Sequence, residues 1–277
     1  MSAQLHHTVH PAAAAAAPLR SLRQQRRISQ LELSLRVGVS QRHLSCIETG
    51  RARPSREMLH ALLDALDAPL AERNGALLAA GYAPAFAQRA LADAEMAPVR
   101  AALAHLLAAH DPAPAFVLDG AWNLLDANRG TQALMALLAV PHASLAAGLN
   151  LLRAVLLPGP LSAAIVNADA VRAEVWQRAQ REAAFTPALR TLVDELRPQL
   201  PRRLAAATLA GHGAGAMPLL ETQLRCADGA GLRFFSAFTS FGAPLDVTAA
   251  SLRVEHFFPA DEDTAARMAA AVAAPPG

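Results

Sequence analysis

The sequence predicts a multidomain chain: an all-α unit of short helices, followed by an α+β unit with an antiparallel sheet. Three observations predict it. From Leu19 to about Ala83 no aromatic residue precedes Tyr82, and the residues read as short capped helices. Three later stretches alternate apolar and polar residues with period two, the mark of strands covered on one face. Breaks at Gly81-Tyr82-Ala83-Pro84 and Asp111-Pro112-Ala113-Pro114 separate these textures. The length, 277 residues, suits two domains, and a hydrophobic fraction of 53% supplies a core for each, although much of that fraction is Ala. The expected boundaries are a disordered Ala-rich tail over 1–17, a helical domain over 18–84, a connecting helix over 85–110, the α+β domain over 111–267 and a flexible tail over 268–277.

Composition narrows the function classes. No uninterrupted apolar run reaches the roughly 20 residues that cross a bilayer. The start lacks the charged-then-apolar pattern of a signal peptide, so a soluble cytoplasmic protein without a membrane partner is expected. Cys46 and Cys226 are far apart and lack ligand-type neighbours, which points to two reduced thiols. His6, His7 and His10 fall in the Ala-rich leader and are expected in the tail. No metal site or cofactor is expected. The net charge of +2 hides an asymmetry: Leu19 to His60 holds nine arginines against three acids, so that segment is +6 and the remainder is −4. A short, strongly cationic segment suggests phosphate as a partner.

Within that segment, Ser29 and Glu32 form a capping-box pattern that starts a helix. Leu33 and Val37 share a face of it, and Gly38 suits the left-handed residue that ends it. Ser40 is a good N-cap for a second helix, whose Leu44 and Ile47 face inward. Gln41, Arg42, Ser45 and Cys46 then fall on the outer side. Helix, Gly turn and a capped helix with a polar outer face is the helix-turn-helix design, in which one helix enters the major groove. Gln pairs well with adenine and Arg with guanine; Ser bonds either, whereas a thiol is a poor base reader. Cys46 is therefore alternatively a small packed residue or a redox-sensitive thiol. Gly50-Arg51-Ala52-Arg53-Pro54-Ser55 follows as a basic loop into another capped helix bearing Leu59, Leu62 and Leu66 on one face. Arg51 and Arg53 suit phosphate contacts, which set register rather than sequence.

Leu19 to Leu66 resembles the Xre/Cro family of helix-turn-helix domains. The resemblance is carried by Leu22-Arg23, Ser29-Gln30, Gly38-Val39-Ser40, Ile47-Glu48, Gly50-Arg51 and Pro54-Ser55. It implies a five-helix, lambda-repressor-like domain that docks on double-stranded DNA as a homodimer. It implies base contacts from Gln41, Arg42, Ser45 and Cys46, and backbone contacts from Gln30, Ser40, His43, Arg51 and Arg53. It also implies an internal Arg23–Glu48 salt bridge. Leu31 departs from the family pattern, which carries a polar residue there.

In the second half, Phe116-Val117-Leu118 and Trp122-Asn123-Leu124-Leu125 flank an Asp119-Gly120 hairpin signal. Helical patterns cover Arg129–Leu138, Asp169–Ala184 and Pro187–Leu196, with a Gly/Ala loop around Gly211–Gly215. Strand patterns then run Leu220–Cys226, Leu232–Phe241 and Leu252–Phe258. In the second of these, Phe234 and Phe238 share a face opposite Phe235 and Phe241. In the third, Leu252, Val254, His256 and Phe258 form an apolar face opposite Arg253 and Glu255. Asp261-Glu262-Asp263 is an acidic run that caps a final helix.

Pro69-Leu70-Ala71-Glu72-Arg73-Asn74 resembles the last helix of the DNA-binding head of MmyB-like regulators, and Asn128-Arg129, Asn150-Leu151-Leu152-Arg153, Phe241-Gly242-Ala243-Pro244-Leu245-Asp246-Val247-Thr248 and Glu255-His256-Phe257-Phe258-Pro259 extend that resemblance over this half. The resemblance implies a PAS-like ligand-binding domain for a small apolar, acyl-like molecule. Trp122, Phe234, Phe238, Val254, His256 and Phe258 are the candidate lining, with ordinary core packing as the alternative for each. A protein-interaction or dimerisation module without a ligand is the other reading of this domain. An enzyme is not expected, because Gly211-His212-Gly213-Ala214-Gly215 lacks the Lys-Ser/Thr ending of a phosphate loop.

Overall fold

In a computed structural model, which describes residues 11–141, 148–205 and 219–274, the first helix, α1, spans Pro11–Gln25. Ala15, Ala16, Leu19 and Leu22 are buried along one of its faces. The expected disordered tail over 1–17 is thus corrected from Pro11 onward. Low complexity suggested disorder, but alanine is the best helix former because it loses no side-chain entropy. His6, His7 and His10 lie outside the described residues.

Helices α2 (Gln30–Val37), α3 (Gln41–Glu48), α4 (Arg56–Ala65) and α5 (Leu70–Ala79) complete the first unit. Leu33, Leu44, Ile47, Leu59, Leu62, Leu66 and Leu77 form its core. Short helices of this length are marginal alone, so packing of these leucines holds them. Tyr82 donates its hydroxyl to the Pro54 carbonyl at 2.9 Å. The Asn74 carboxamide accepts from the Ala85 and Phe86 amides and donates to the Phe86 carbonyl. The residues after Pro84 are therefore pinned to α5 in a non-helical path. The expected connecting helix over 85–110 is corrected: a 3₁₀ turn at Ala94–Met96 leads into α6, Ala97–His110, with Pro98 in its first turn.

The chain divides into two units, the first ending at Gln88 and also holding Leu245–Val247, the second holding the rest. The second unit contains β1 (Ala115–Leu118), β2 (Leu124–Ala127) and α7 (Arg129–Leu137). Helices α8 (Leu151–Leu156), α9 (Pro160–Ala164), α10 (Ala168–Ala183), α11 (Pro187–Leu196) and α12 (Arg202–Ala205) follow. Strands β3 (Glu221–Arg225) and β4 (Gly231–Ser240), a short helix α13 (Val247–Ser251), strand β5 (Arg253–Pro259) and helix α14 (Glu262–Ala273) complete it. Strands β2-β1-β5-β4-β3 form one sheet with every pairing antiparallel.

Asp119 shapes the first hairpin by accepting from the Ala121 and Asn123 amides. Asn128 caps α7 and also accepts from the Ala115 amide at 2.9 Å, which ties that helix to β1. Residues 151–164 carried no helical expectation, yet Asn150 caps α8 through the Arg153 amide. Asp261 caps α14 as expected, but α14 continues to Ala273 with Met268 buried, so the flexible tail over 268–277 is corrected up to that residue. The Gly211–Gly215 loop lies outside the described residues.

The expectation of a sheet covered on one side is also corrected. On one face Val254 and Val117 pack against Leu103 and Leu107 of α6. The other face carries Phe116, Glu255 and Phe257, and helices α7, α8 and α10 line the space beside it.

Gly130, in the first turn of α7, has no room for a side chain, because a Cβ would sit on the carbonyl oxygens of Pro112 and Ala113. Gly130→Ala should destabilise the second unit by roughly 1–3 kcal/mol, the usual penalty of overpacking, read as a lower denaturant midpoint; an unchanged midpoint would contradict this packing.

Candidate nucleic-acid interface and ligand cavity

The turn between α2 and α3 is built from local hydrogen bonds. The Ser29 hydroxyl accepts from the Glu32 amide at 3.0 Å. Gly38 takes the left-handed conformation (φ 76°) at which α2 stops, and its amide bonds back to Ser34. Ser40 then caps α3 by accepting from the His43 amide at 3.1 Å. Leu44 and Ile47 point inward and are almost fully buried. With those two residues anchoring the helix, its opposite face is fixed: Gln41, Arg42 and His43 are exposed, and Ser45 and Cys46 are half-buried.

Glu48, at the end of α3, holds three helices together. Arg23 of α1 grips its carboxylate with two hydrogen bonds, Nε to Oε1 at 2.6 Å and Nη2 to Oε2 at 2.8 Å. The third nitrogen, Nη1, donates to the Ile28 carbonyl. Gln30 of α2 donates to Glu48 Oε2 at 2.8 Å. Burial alone would raise the Glu48 pKa, but the hydrogen bonds from Arg23 and Gln30 outweigh it and hold the carboxyl below its ordinary range. The same bond raises the Arg23 pKa further. The ion pair implied by the family resemblance is therefore present, and Arg23 is spent inside the fold.

Among the expected backbone-contact residues, Ser40 and Arg51 are exposed, and Gln30 is half-buried with its amide on Glu48. Arg51 Nε reaches the Thr49 hydroxyl at 3.2 Å. Arg53 is more committed: its Nε donates to the Ala80 carbonyl at 3.0 Å and its plane lies 4.8 Å from the Tyr82 ring centre. Leu31 is half exposed and Leu35, one turn further on, is largely exposed, and no packing role in the structure explains Leu31.

The second unit encloses a cavity of about 280 Å³. Leu134 and Met135 of α7, Val155 of α8, Val171 of α10 and Phe257 of β5 give it an apolar wall. One end is ionic. Arg178 of α10 donates to Glu255 at 2.5 Å and to Glu182 at 3.0 Å. Arg253 of β5 donates to Glu182 at 2.6 Å and lies 3.2 Å from Glu255. The Trp122 indole N–H also bonds Glu182, at 2.8 Å, and both guanidinium groups stack on its ring. Burial opposes ionisation of Glu182, but Arg253 and Arg178 pull its pKa below the ordinary range. Arg253 and Glu255, expected to face outward, lie on a covered face of β5, Glu255 buried and Arg253 half-buried, because α10 supplies the charges that compensate them.

Of the six expected lining residues, only Trp122 reaches this cavity. Phe238 is exposed and lines an adjoining recess with Arg181 and Glu182. Phe234 shares the cavity face of the sheet but is buried in the core beside Leu224 and Leu232. Val254, His256 and Phe258 lie on the opposite face and are corrected as lining. His256 bonds Thr239 at 3.1 Å and meets His110 edge-on; burial, then His110, lowers its pKa. Phe258 stacks on Phe235 at 5.1 Å. Of the missed residues, Arg178 and Glu255 were hidden because charged residues were read as solvent-facing, whereas Glu174 borders the cavity and stays exposed. Among the described residues no group of three or more His, Cys, Asp or Glu side chains converges to hold a metal ion.

Residues 99–271 match the family model for the MmyB-like transcription regulator ligand binding domain, and residues 14–76 match a helix-turn-helix domain model. Neither description names an enzyme. A comparison with curated proteins finds no match.

Removing the Glu48 carboxylate leaves the buried Arg23 uncompensated. Glu48→Ala should destabilise the first unit by roughly 3–5 kcal/mol, the usual cost of breaking a buried pair from one side. Because the folded Glu48 pKa is lowered, its contribution is present above the ordinary carboxylate range and is lost as pH falls through the folded value. Thermal unfolding of wild type and variant should therefore converge toward low pH; parallel curves would remove this role.

Proposed function

The chain belongs to the MmyB-like transcription regulators, and from that premise we propose that it binds a specific duplex sequence as a homodimer and responds to a small apolar, acyl-like molecule held in its second unit. The helix-turn-helix domain carries DNA binding. Sequence-specific reading is supported by the exposed start of α3, with Gln41, Arg42 and His43 outward above buried Leu44 and Ile47. Recognition helices read base edges with their N-terminal residues. Gln41, Arg42, Ser45 and Cys46 are assigned to bases. Gln30, Ser40, His43, Arg51 and Arg53 are assigned to the backbone, Arg53 through the nitrogens that Ala80 leaves free. A dimer sets two such helices in successive major grooves about 34 Å apart. A cytoplasmic location fits a duplex-DNA partner.

The cavity supports a ligand over a partner-only module, because a module of the second kind needs no internal space. Its volume lies near the lower end of the roughly 300–1,000 Å³ of small-molecule sites. The strand order β2-β1-β5-β4-β3, with helices α7 to α12 between β2 and β3, supports a PAS-like reading of the unit.

Arg42→Ala should lower affinity for the selected operator by roughly 1–3 kcal/mol and relax preference at one base pair, with little change on random duplex. Arg51→Ala should weaken both duplexes alike and reduce the salt slope by about 1. Anisotropy titrations at several salt concentrations check both. Equal losses on operator and random DNA for Arg42→Ala would make it a phosphate contact. Hydroxyl-radical footprinting should show two protected patches one turn apart, and a single patch would remove the dimer.

A further inference from the structure

The turn that joins α1 to α2 holds an arginine where the backbone favours glycine. Helix α1 ends in a Schellman arrangement: the Arg27 amide donates to the Gln24 carbonyl at 3.0 Å, and the Ile28 amide donates to the Arg23 carbonyl at 3.2 Å. Arg27 takes the left-handed conformation of that arrangement, with φ 55°. A residue with a Cβ pays for this conformation in free energy, and glycine does not. The next carbonyl is fixed as well, because Arg23 Nη1 donates to Ile28 at 2.8 Å while its other two nitrogens hold Glu48. The tandem arginines part at this point. Arg26 folds back and donates to the Asp67 carbonyl at 2.7 Å. Arg27 is exposed, and among the described residues its side chain has no hydrogen-bond or ion-pair partner. Glu32, the nearest acid along the chain, is taken by Arg36 at 2.7 Å.

We propose that Arg27 is a further phosphate contact of the DNA-binding surface, held in place by the Arg23–Glu48 pair. The proposal rests on the DNA-binding reading above and adds a residue to its backbone contacts. In a helix-turn-helix the first helix of the motif crosses the nucleic-acid backbone while the second enters the groove. Here that first helix is α2, and Arg27 stands two residues before its cap, Ser29, and three before Gln30. Gln30 and Arg23 share the Glu48 carboxylate, so one anion at the end of α3 positions Gln30, the Arg27 turn and the recognition helix together. The charge is thus presented on a backbone that needs no ordering when DNA arrives. A cation near the end of α1 also suits the dipole of that helix. Arg26 already supplies one there, however, and glycine would satisfy the turn without strain. An exposed guanidinium on phosphate acts through its charge, so lysine can replace it, and every duplex sequence is met alike.

The test is anisotropy titration of the full chain on a selected operator and on random duplex at several salt concentrations, with a denaturant midpoint for each variant. Arg27→Gly should weaken both duplexes alike, by about fivefold for each head, the upper range for an exposed ion pair. It should also reduce the salt slope by about 1 for each head. Its midpoint should be no lower than that of the wild type, because glycine relieves the left-handed turn. Arg27→Lys should keep the wild-type affinity and slope, which separates the charge from the conformation of the turn. An unchanged slope in Arg27→Gly would overturn the phosphate contact. A lowered midpoint with unchanged affinity would assign the side chain to the end of α1 and overturn it too. A loss confined to the operator, with random duplex unaffected, would make Arg27 a base contact and not a phosphate one. Absence of salt-dependent binding of either duplex by the wild type would overturn the DNA-binding reading itself, and this proposal with it.

Discussion

The outer face of the helix-turn-helix depends on one buried carboxylate. Glu48 ends α3, yet its hydrogen-bond partners come from α1 and α2, so a single anion fixes how three short helices meet. Helices α2 and α3, eight residues each, are too short to be stable alone. Their leucines supply most of the burial energy but little direction, since apolar contact tolerates sliding, whereas a bidentate guanidinium–carboxylate pair does not. With Arg23 and Gln30 fixing one end of α3 and Ser40 capping the other, the outward position of Gln41 and Arg42 is a consequence of the scaffold. The cationic excess of the same segment then acts on a surface whose geometry is already set.

The second unit solves a different problem with the same kind of interaction. Its sheet is covered on both faces, one by an ordinary apolar contact with α6, the other by helices that enclose a cavity. The face toward the cavity carries Arg253 and Glu255, residues that would be expensive to bury alone. Arg178 and Glu182 of α10 complete a four-member network with them, and the Trp122 indole closes it. Such a network is directional, so it sets the position of α10 across the sheet, and with it the apolar residues that the same helix presents to the cavity.

What was legible in the sequence follows from the range of the interactions involved. The turn between α2 and α3 is made by neighbours a few residues apart, and Ser29, Gly38, Ser40, Leu44 and Ile47 each announce their role through local spacing. Strand alternation was equally legible: the division of Val254, His256 and Phe258 from Arg253 and Glu255 holds in the register. Alternation tells which residues share a face, however, and not what covers that face. That depends on α10, some seventy residues away, so the charged face was assigned to solvent and the β5 lining was drawn from the wrong side. Helices α8 and α9 are too short for a periodic signal to emerge. The stretch from Pro11 misled in the opposite way, because its alanines look like low complexity until the buried positions Ala15 and Ala16 are seen.

A charged network on a cavity wall also links what fills the cavity to the stability of the wall. Two unit charges 4 Å apart attract by about 1 kcal/mol in bulk water and by about 4 kcal/mol at an effective dielectric near 20. Hydrocarbon in the cavity therefore tightens the Arg178–Glu255 contact and makes any unmatched charge beside it more costly, whereas water does the reverse. The same ligand acts on both terms at once, so its affinity depends on how completely the network is paired when it arrives. A regulator can convert binding into a change in DNA affinity only if its two conformations bind the ligand unequally. In this unit the pairing of α10 with β5 is where such an inequality has a physical basis, because two guanidinium groups and two carboxylates share the task of closing the cavity's polar end.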